Sequence, residues 1–200
     1  MEEKDYEHLL NICTSGDQKG FHKSFHYHRY EPTPYNGLKQ LFSQYQLQSN
    51  DRIVDFGCGK GRLPFYVHYL FGSSVAGVEM NKDFYEMAVK NRSCYFKKTK
   101  KNGNNIIFHN CLAEHYPVKQ ADNIFYFFNP FSIQIFMKVM NNIMYSFEKC
   151  ERHLELILYY AAEEYIYYLE NQTAFSLKQE IKINGLYELN QNERFLIYEL

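Results

Sequence analysis

A glycine-rich run is the part of this sequence whose residue types most clearly suggest chemistry. It reads Asp55-Phe56-Gly57-Cys58-Gly59-Lys60-Gly61 and follows a short apolar segment that is typical of a β-strand. Glycines at alternate positions let the backbone approach a ligand closely and adopt angles that side chains exclude. A helix that begins just after them would offer unpaired N–H groups and the positive end of its dipole. The run therefore predicts a turn that holds a ligand with a carboxylate or a similar group.

A second candidate ligand group is the carboxylate of Glu79, at the end of another predicted strand. An ionised carboxylate accepts hydrogen bonds without donating any, so it can bind both hydroxyl groups of a ribose. Met80, the next residue, could pack against the face of a base. A nicotinamide dinucleotide would normally require Gly-x-Gly-x-x-Gly, whereas the third glycine here comes one residue early. The run could also be a general Rossmann-like turn that binds some other nucleotide.

Seven apolar segments are predicted to form the strands that position these residues. Five of them alternate with helical patterns, and the last two are joined through a turn near 190–192. This order predicts an α/β fold with a doubly wound, mainly parallel seven-stranded sheet, helices on both faces and a C-terminal antiparallel strand pair. Ligands of such sheets bind outside the carboxyl ends of the strands. The predicted strands are 53–56, 75–79, 106–108, 123–128, 154–160, 175–183 and 194–198.

Helices are predicted from apolar spacing and from residues that commonly cap a helix. The segment 97–104 is predicted to be a polar loop, and residues 1–30 an N-terminal arm with a short helix near 3–12. A single Rossmann-like domain over 31–200 follows the arm. Helix starts are predicted at Thr33-Pro34, Gly61, Asn81, Ser132 and Glu163, and the first of these helices is expected to run over 34–45.

The pattern Gly-x-Gly-x-Gly behind an acidic residue resembles motif I of class I S-adenosylmethionine-dependent methyltransferases. The resemblance implies that residues 55–61 hold the amino-acid end of S-adenosylmethionine, with Asp55 fixing its ammonium group. It also implies that Glu79 binds the ribose. Members of this family often have an Asp-Ala pair after the third strand, near the adenine. Here Ala113 matches, Leu112 stands where the acid would be, and the substitute for that acid is left open between a backbone group, Asn110 and Glu114.

The segment Asn129-Pro130-Phe131 ends the central predicted strand, where a methyl acceptor should lie. It resembles the Asn-Pro-Pro-aromatic motif of methyltransferases that modify planar amino groups, with Phe131 in place of the second proline. In that motif the Asn side-chain oxygen and the carbonyl of the first proline accept hydrogen bonds from the target NH2 group. It is also similar to the Asn-plus-aromatic ending of non-SET protein lysine methyltransferases. Both resemblances imply that these three residues are catalytic and that the acceptor is a nitrogen. The alternative is that Asn-Pro only ends the strand before a helix begins.

Aromatic and basic residues cluster just ahead of the predicted domain. One hypothesis is that the arm is a lid and that Tyr30, Thr33 and Tyr35 line the cofactor or acceptor pocket. The alternative is a surface arm packed by its own aromatic side chains. No Cys or carboxylate stands at ligand spacing, so no metal site is predicted for the three histidines of this arm, His22, His26 and His28.

The composition limits the classes of function that the chain can have. The formal net charge of the 200 residues is −1, whereas proteins that coat nucleic acid need a strong basic excess. The five cysteines are scattered without a Cys-x-x-Cys pair, which indicates a reducing compartment. No apolar run reaches the roughly 20 residues of a membrane span, and the acidic N-terminus does not resemble a signal peptide. We therefore expect a cytoplasmic protein.

These inferences combine into one expected activity. S-adenosylmethionine is the expected cofactor, and the acceptor nitrogen is expected on a protein side chain, a small molecule or a nucleobase. The near-neutral charge favours a protein or small molecule over RNA. The alternatives are a non-catalytic S-adenosylmethionine-binding module or partner subunit, and an aminopropyl transferase, for which no acidic acceptor cluster is evident. The oligomeric state is left open.

Overall fold

A seven-stranded sheet forms the centre of the computed structural model, which describes residues 2–16, 26–48, 50–100 and 105–200. The strands are β1 (Arg52–Phe56), β2 (Ser74–Val78), β3 (Ile106–His109), β4 (Ile124–Phe128), β5 (Glu155–Tyr159), β6 (Ser176–Lys182) and β7 (Arg194–Glu199). Their order across the sheet is β3-β2-β1-β4-β5-β7-β6. Strands β1 to β5 are parallel, and β7 is antiparallel to β5 and to β6. The predicted fold class and the closing antiparallel pair are confirmed.

The central strands are buried on both faces, which explains why their sequences are continuous apolar runs. In β4 the side chains of residues 124–127 are at most 2% exposed. Neighbouring side chains of a strand point to opposite faces, so the strands contribute to two separate hydrophobic cores. Ile53 lies in one core, while Val54 and Phe56 lie in the other.

Helices cover both faces of this sheet. Helices α1 to α4 pack into the core that contains Ile53, and α5 and α6 pack into the core that contains Phe56. No helix among the described residues is long and apolar enough to span a membrane. The helices are α1 (Glu3–Leu10), α2 (Tyr35–Gln44), α3 (Arg62–Phe71), α4 (Lys82–Thr99), α5 (Ile133–Lys149) and α6 (Glu163–Gln172).

Three of the predicted helix boundaries need comment. The side chain of Asn81 accepts hydrogen bonds from the N–H groups of Asp83 and Phe84, so this predicted cap is confirmed. Thr33 is not the cap of α2, because Pro34 holds that position and the Thr33 hydroxyl is hydrogen-bonded to the Tyr126 hydroxyl at 2.7 Å. Ser132 does precede α5, but its side chain makes no capping hydrogen bond.

The predicted polar loop over 97–104 is wrong in its first part. Helix α4 continues to Thr99 and ends at Lys100, which has a left-handed backbone with φ of 55°. The lysines of this run are good helix formers and lie near the negative end of the helix dipole, which favours the longer helix. Residues 101–104 lie outside the described part of the chain.

The beginning of the predicted arm packs into the core that contains Ile53. Leu10 is fully buried and Ile12 is 7% exposed, and both pack with side chains of α2 and α3. The guanidinium of Arg62, just after the third glycine, fastens this segment to α3. It donates to the Glu3 carboxylate, to the Thr14 hydroxyl at 2.8 Å and to the Thr33 carbonyl at 3.1 Å.

We expect Arg62→Met to destabilise the protein by about 3 kcal/mol, because it removes a charged donor and leaves buried acceptors without partners. Arg62 is 5% exposed, so water cannot easily replace it. The measurement is the free energy of unfolding in urea. The matched control is Lys82→Met, since the Lys82 side chain is 77% exposed and its pair with Glu86 spans 3.7 Å. That control should change stability by less than about 0.5 kcal/mol, and an equal loss in both variants would contradict the assignment.

Candidate active site

The predicted site residues meet where the strand order reverses, between β1 and β4. The glycine turn leaves the carboxyl end of β1, Glu79 follows β2 and Asn129 follows β4, and these strands are neighbours in the sheet. The N–H groups of Gly57 and Cys58 both donate to the Val78 carbonyl, at 2.9 and 3.1 Å. These bonds hold the turn against the end of β2. The arrangement is the crevice in which open α/β sheets bind their ligands.

The glycines of the turn have conformations and surroundings that exclude a side chain. Gly57 has φ of 79°, and a Cβ atom there would lie 2.8 Å from the Cβ atom of Pro130. Gly59 has φ of 53°, and a Cβ atom there would overlap the ring of Tyr30. Gly61, with φ of 91°, is the N-cap of α3. At Gly57 the glycine turn is therefore packed directly against Pro130 of the Asn129–Phe131 segment.

The Glu79 carboxylate is buried and is held by two main-chain donors. The Gly59 N–H donates to its Oε2 atom at 2.9 Å, and the Asn81 N–H donates to Oε1 at 2.7 Å. Burial raises the pKa of Glu79, while these hydrogen bonds act in the lowering direction. A carboxylate has about four lone-pair positions, so it can accept a further hydrogen bond from a ligand hydroxyl.

Asp55 lies beneath the turn and is 5% exposed. Burial, together with the negative charge of Glu79, raises the pKa of Asp55 well above its ordinary value. A cation that binds here would therefore be strongly stabilised by the carboxylate. Burial also raises the pKa of the Cys58 thiol. Cys58 is thus a protonated, small side chain of the turn and not an activated nucleophile.

Two adjoining cavities occupy the crevice. The larger one is bounded by Gly57, Glu79, Met80, Ala113, Pro130 and Phe131 among the predicted residues. The smaller one is bounded by Asp55, Gly57 and Cys58. Four residues border both cavities, namely Tyr30, Glu31, Gly57 and Phe128.

The segment after β4 has an unusual backbone and an unpaired amide oxygen. Asn129 has φ of 37°, in the left-handed region that Asn tolerates better than most residues. Its Oδ1 atom is buried and has no hydrogen-bond partner among the described residues. Buried polar atoms are rarely left in this state, so such an atom suggests a missing partner. Phe131 is 1% exposed and packs edge-on against Phe127.

Among solved structures, the fold is similar to that of methyltransferases with different acceptors. The chain is 13% identical to an RNA methyltransferase from Salinibacter ruber in complex with S-adenosyl-L-homocysteine, with a TM-score of 0.56 over 84% of this chain and 92% of that one. It is 13% identical to a phosphoethanolamine N-methyltransferase from Haemonchus contortus, with a TM-score of 0.60 over 82% of this chain and 42% of that one. A geranyl diphosphate C-methyltransferase from Streptomyces coelicolor matches at 13% identity, with a TM-score of 0.55 over 82% and 77% of the two chains.

The chain has the class I methyltransferase fold. No protein-family model matches the sequence, and neither does any curated protein. The similar structures include enzymes for RNA and enzymes for small molecules, so the sequence-based preference against RNA receives no support from them. Fold similarity at this identity does not specify the acceptor.

Within this methyltransferase fold, three predicted cofactor residues do not reach either cavity with their side chains. Tyr35 is 1% exposed and stacks on Tyr6 at 4.6 Å, behind the glycine turn, so its prediction as a pocket residue is wrong. The Phe56 ring packs on Tyr116 in the core beneath α5, so only its backbone can serve the turn. Asn110 donates to the carbonyls of residues 79 and 80, at 2.8 and 3.2 Å, and thereby holds the Glu79 backbone.

The larger cavity also contains residues that the sequence did not single out. The aromatic side chains of Tyr27, Phe84 and Phe128 bound it, together with Cys111. Phe128 directly precedes Asn129, so its position at the strand end was a usable signal. Tyr27 gave no comparable signal, because it reaches the cavity only through pairing with a distant segment.

Proposed function

We propose that this chain is an S-adenosylmethionine-dependent methyltransferase that transfers the methyl group to a nitrogen. The observation that carries the proposal is that one cavity is bounded both by Gly57 and Glu79 and by Pro130 and Phe131. A cofactor and an acceptor could therefore lie side by side. Alignment of two reactants at close distance is the main contribution that an enzyme makes to methyl displacement.

The residues present fit this cofactor. The glycine turn has no room for a Cβ atom at Gly57, where Pro130 lies, or at Gly59, where the Tyr30 ring lies, so both positions require glycine. In the proposal, the Glu79 carboxylate accepts the ribose hydroxyls. Asp55 pairs with the ammonium group in the smaller cavity, and Met80 and Ala113 contact the adenine. The bound cofactor supplies a methyl group that is already activated on sulfur.

The proposed nitrogen acceptor rests on Asn129. Its buried Oδ1 atom lacks a partner among the described residues and would accept a hydrogen bond from an N–H group of the acceptor. That bond would direct the nitrogen lone pair toward the methyl group. Pro130 and Phe131 bound the larger cavity, of which Asn129 is not a lining residue, and would provide the apolar surface beside the acceptor. A cationic amine would first have to lose a proton.

The test has two steps. Titration calorimetry with S-adenosylhomocysteine should show stoichiometric binding to the purified chain. Incubation with tritiated-methyl S-adenosylmethionine and fractionated cell extract should then label one fraction, and nuclease or protease treatment of that fraction identifies the acceptor class. Absence of binding in the first step overturns the proposal, and binding without any labelled acceptor favours the second candidate.

The second candidate is a non-catalytic S-adenosylmethionine-binding module, and one observation favours it. The Pro130 carbonyl, which the resemblance implies as an acceptor-binding group, already accepts a hydrogen bond from the His28 N–H at 3.0 Å. An acceptor amine would have to share this oxygen with His28, since a carbonyl oxygen has two lone pairs. The two candidates differ in methyl transfer and not in cofactor binding.

We expect binding of S-adenosylhomocysteine to release a proton from Asp55 at a pH below the raised pKa of its carboxyl group in the free protein. The pKa of Asp55 is raised in the free protein, and a bound ammonium group would lower it, so the complex holds fewer protons. Affinity should therefore rise with pH until the pKa of the free protein is passed. Calorimetry at one pH in two buffers of different ionisation enthalpy measures this release. In Asp55→Asn the buffer dependence should vanish, whereas buffer-independent heats in the wild type would contradict the expectation.

A further inference from the structure

His28 lies beside the segment that is proposed to bind the acceptor, and it also bounds the larger cavity. Its main-chain N–H donates to the Pro130 carbonyl at 3.0 Å. Its ring nitrogen Nδ1 lies 2.6 Å from the carbonyl oxygen of Asn129, the residue whose side chain is proposed to hold the acceptor nitrogen. Both the main chain and the ring of His28 are therefore attached to the chain at the end of β4.

The contact with the Asn129 carbonyl determines which ring nitrogen of His28 carries the proton. A carbonyl oxygen only accepts hydrogen bonds, so Nδ1 has to be the donor. In the neutral ring the other nitrogen, Nε2, then has the free lone pair. An imidazole that is oriented through one nitrogen and basic at the other is the arrangement in which histidine serves as a general base.

The other titratable groups of the larger cavity are less suited to accept a proton near neutral pH. Burial raises the pKa of its two tyrosines and of its cysteine, so these groups keep their protons. An arginine has no lone pair to offer, and Glu79 is proposed to bind the ribose. The carboxylate of Glu31 is the remaining rival, and carboxylates are weaker bases than imidazole in this range. These other groups are Tyr27, Arg29, Tyr30, Glu31, Glu79 and Cys111.

We propose that His28 is the general base of this site and that its Nε2 atom accepts the proton which the acceptor nitrogen loses. The inference rests on the proposed function. The lone pair of the acceptor nitrogen forms the new N–C bond, while the C–S bond breaks and its electron pair stays on sulfur. The N–H proton passes to Nε2 and makes the imidazole ring cationic. His28 is exposed, so the ring returns this proton to water before the next turnover.

The same assignment narrows the class of acceptor. One N–H of the acceptor donates to the Asn129 side-chain oxygen and a second N–H faces His28, so the group that fits is an uncharged NH2 group. A nitrogen with a single hydrogen cannot satisfy both residues.

The test combines the tautomer of the free protein with turnover of three variants. Long-range proton–nitrogen NMR shows which ring nitrogen of His28 carries the proton, and we expect Nδ1. His28→Gln keeps a side-chain N–H donor for the Asn129 carbonyl but removes the basic nitrogen. His28→Ala leaves space for imidazole added to the solution. The matched control is His26→Gln, because His26 is also exposed and its Nδ1 atom lies 2.9 Å from the Ser132 hydroxyl instead.

A general base predicts a loss of turnover without a loss of cofactor affinity. We expect His28→Gln to lower tritiated-methyl transfer about 100-fold, with the affinity for S-adenosylhomocysteine and the turnover of His26→Gln each changed less than about twofold. Wild-type turnover should decrease as the pH falls below neutral, and this decrease should disappear in His28→Gln. Imidazole should raise the turnover of His28→Ala at least about tenfold, in proportion to its neutral form.

Four results would overturn the assignment of His28. They are a proton on Nε2 in place of Nδ1, turnover of His28→Gln close to that of the wild type, loss of the pH dependence in Glu31→Gln instead, and lost turnover in His28→Ala that imidazole does not restore. In the last case His28 would only position Asn129. Failure of the wild type to bind S-adenosylhomocysteine or to label any fraction overturns the proposed function instead.

Discussion

Glu79→Gln should weaken the binding of S-adenosylhomocysteine about 100-fold while the protein remains folded. The substitution keeps the size of the side chain but replaces one acceptor oxygen by an NH2 group, which cannot accept a hydrogen bond. A bound ribose would lose one charge-assisted hydrogen bond, and the other would become weaker. The binding free energy would become less favourable by about 3 kcal/mol in total. Water could compensate for little of this loss, since Glu79 is only 7% exposed. Titration calorimetry measures the affinity.

The control for this prediction must show that the glycine turn keeps its structure in Glu79→Gln. Glu79 also accepts the Gly59 N–H, so the variant could lose affinity by disordering the turn. A thermal denaturation midpoint within a few degrees of the wild type answers this concern. Glu86→Gln, on the exposed face of α4, should leave affinity unchanged. Equal affinity of Glu79→Gln and the wild type would show that the ribose lies elsewhere.

Asn129→Ala should reduce methyl transfer about 100-fold and leave the affinity for S-adenosylhomocysteine within about twofold. The lost amide oxygen is proposed to hold the acceptor nitrogen, and removal of one oriented hydrogen-bonding group from a reacting centre typically costs a factor of this size. Such a pattern separates a group that acts in transfer from one that binds the cofactor. The readout is the initial rate of tritiated-methyl incorporation into the labelled extract fraction.

A matched variant separates the role of the Asn129 side-chain amide from the effect of its backbone conformation. Asn129 has a left-handed conformation, with φ of 37°, which costs alanine about 1 kcal/mol but costs glycine almost nothing. Asn129→Gly therefore removes the amide without strain and should be as inactive as Asn129→Ala. Full turnover in the glycine variant would assign Asn129 a purely structural role at the end of β4.

The sheet and the glycine turn were predictable because their signals are local. Continuous apolar runs indicate strands that are buried on both faces, and the run 55–61 with Glu79 at the end of the next strand indicates a nucleoside crevice. All seven strands formed within a residue or two of their predicted bounds. Such features depend on residues that are close together in the sequence, so a single sequence is enough to identify them.

The failures concern contacts between distant segments. Tyr35 was predicted in the pocket together with Tyr30 and Thr33, yet the first turn of α2 points its ring into the cluster with Tyr6 and Arg62. The pairing of residues 26–28 with residues 130–132 spans about half the chain and involves only main-chain atoms at its centre. Almost every residue type can form main-chain hydrogen bonds, so no sequence pattern could have predicted this bridge.

One buried amide fixes the chain upstream of residues 26–31 to the glycine turn. The Asn91 side chain exchanges hydrogen bonds with the N–H and carbonyl of Cys13, at 3.0 and 3.1 Å, and donates to the Lys60 carbonyl at 3.0 Å. Downstream, Thr33 is anchored through its carbonyl to Arg62, the first residue after the turn. The segment that borders both cavities is thus preceded and followed by residues that are tied to the cofactor turn itself.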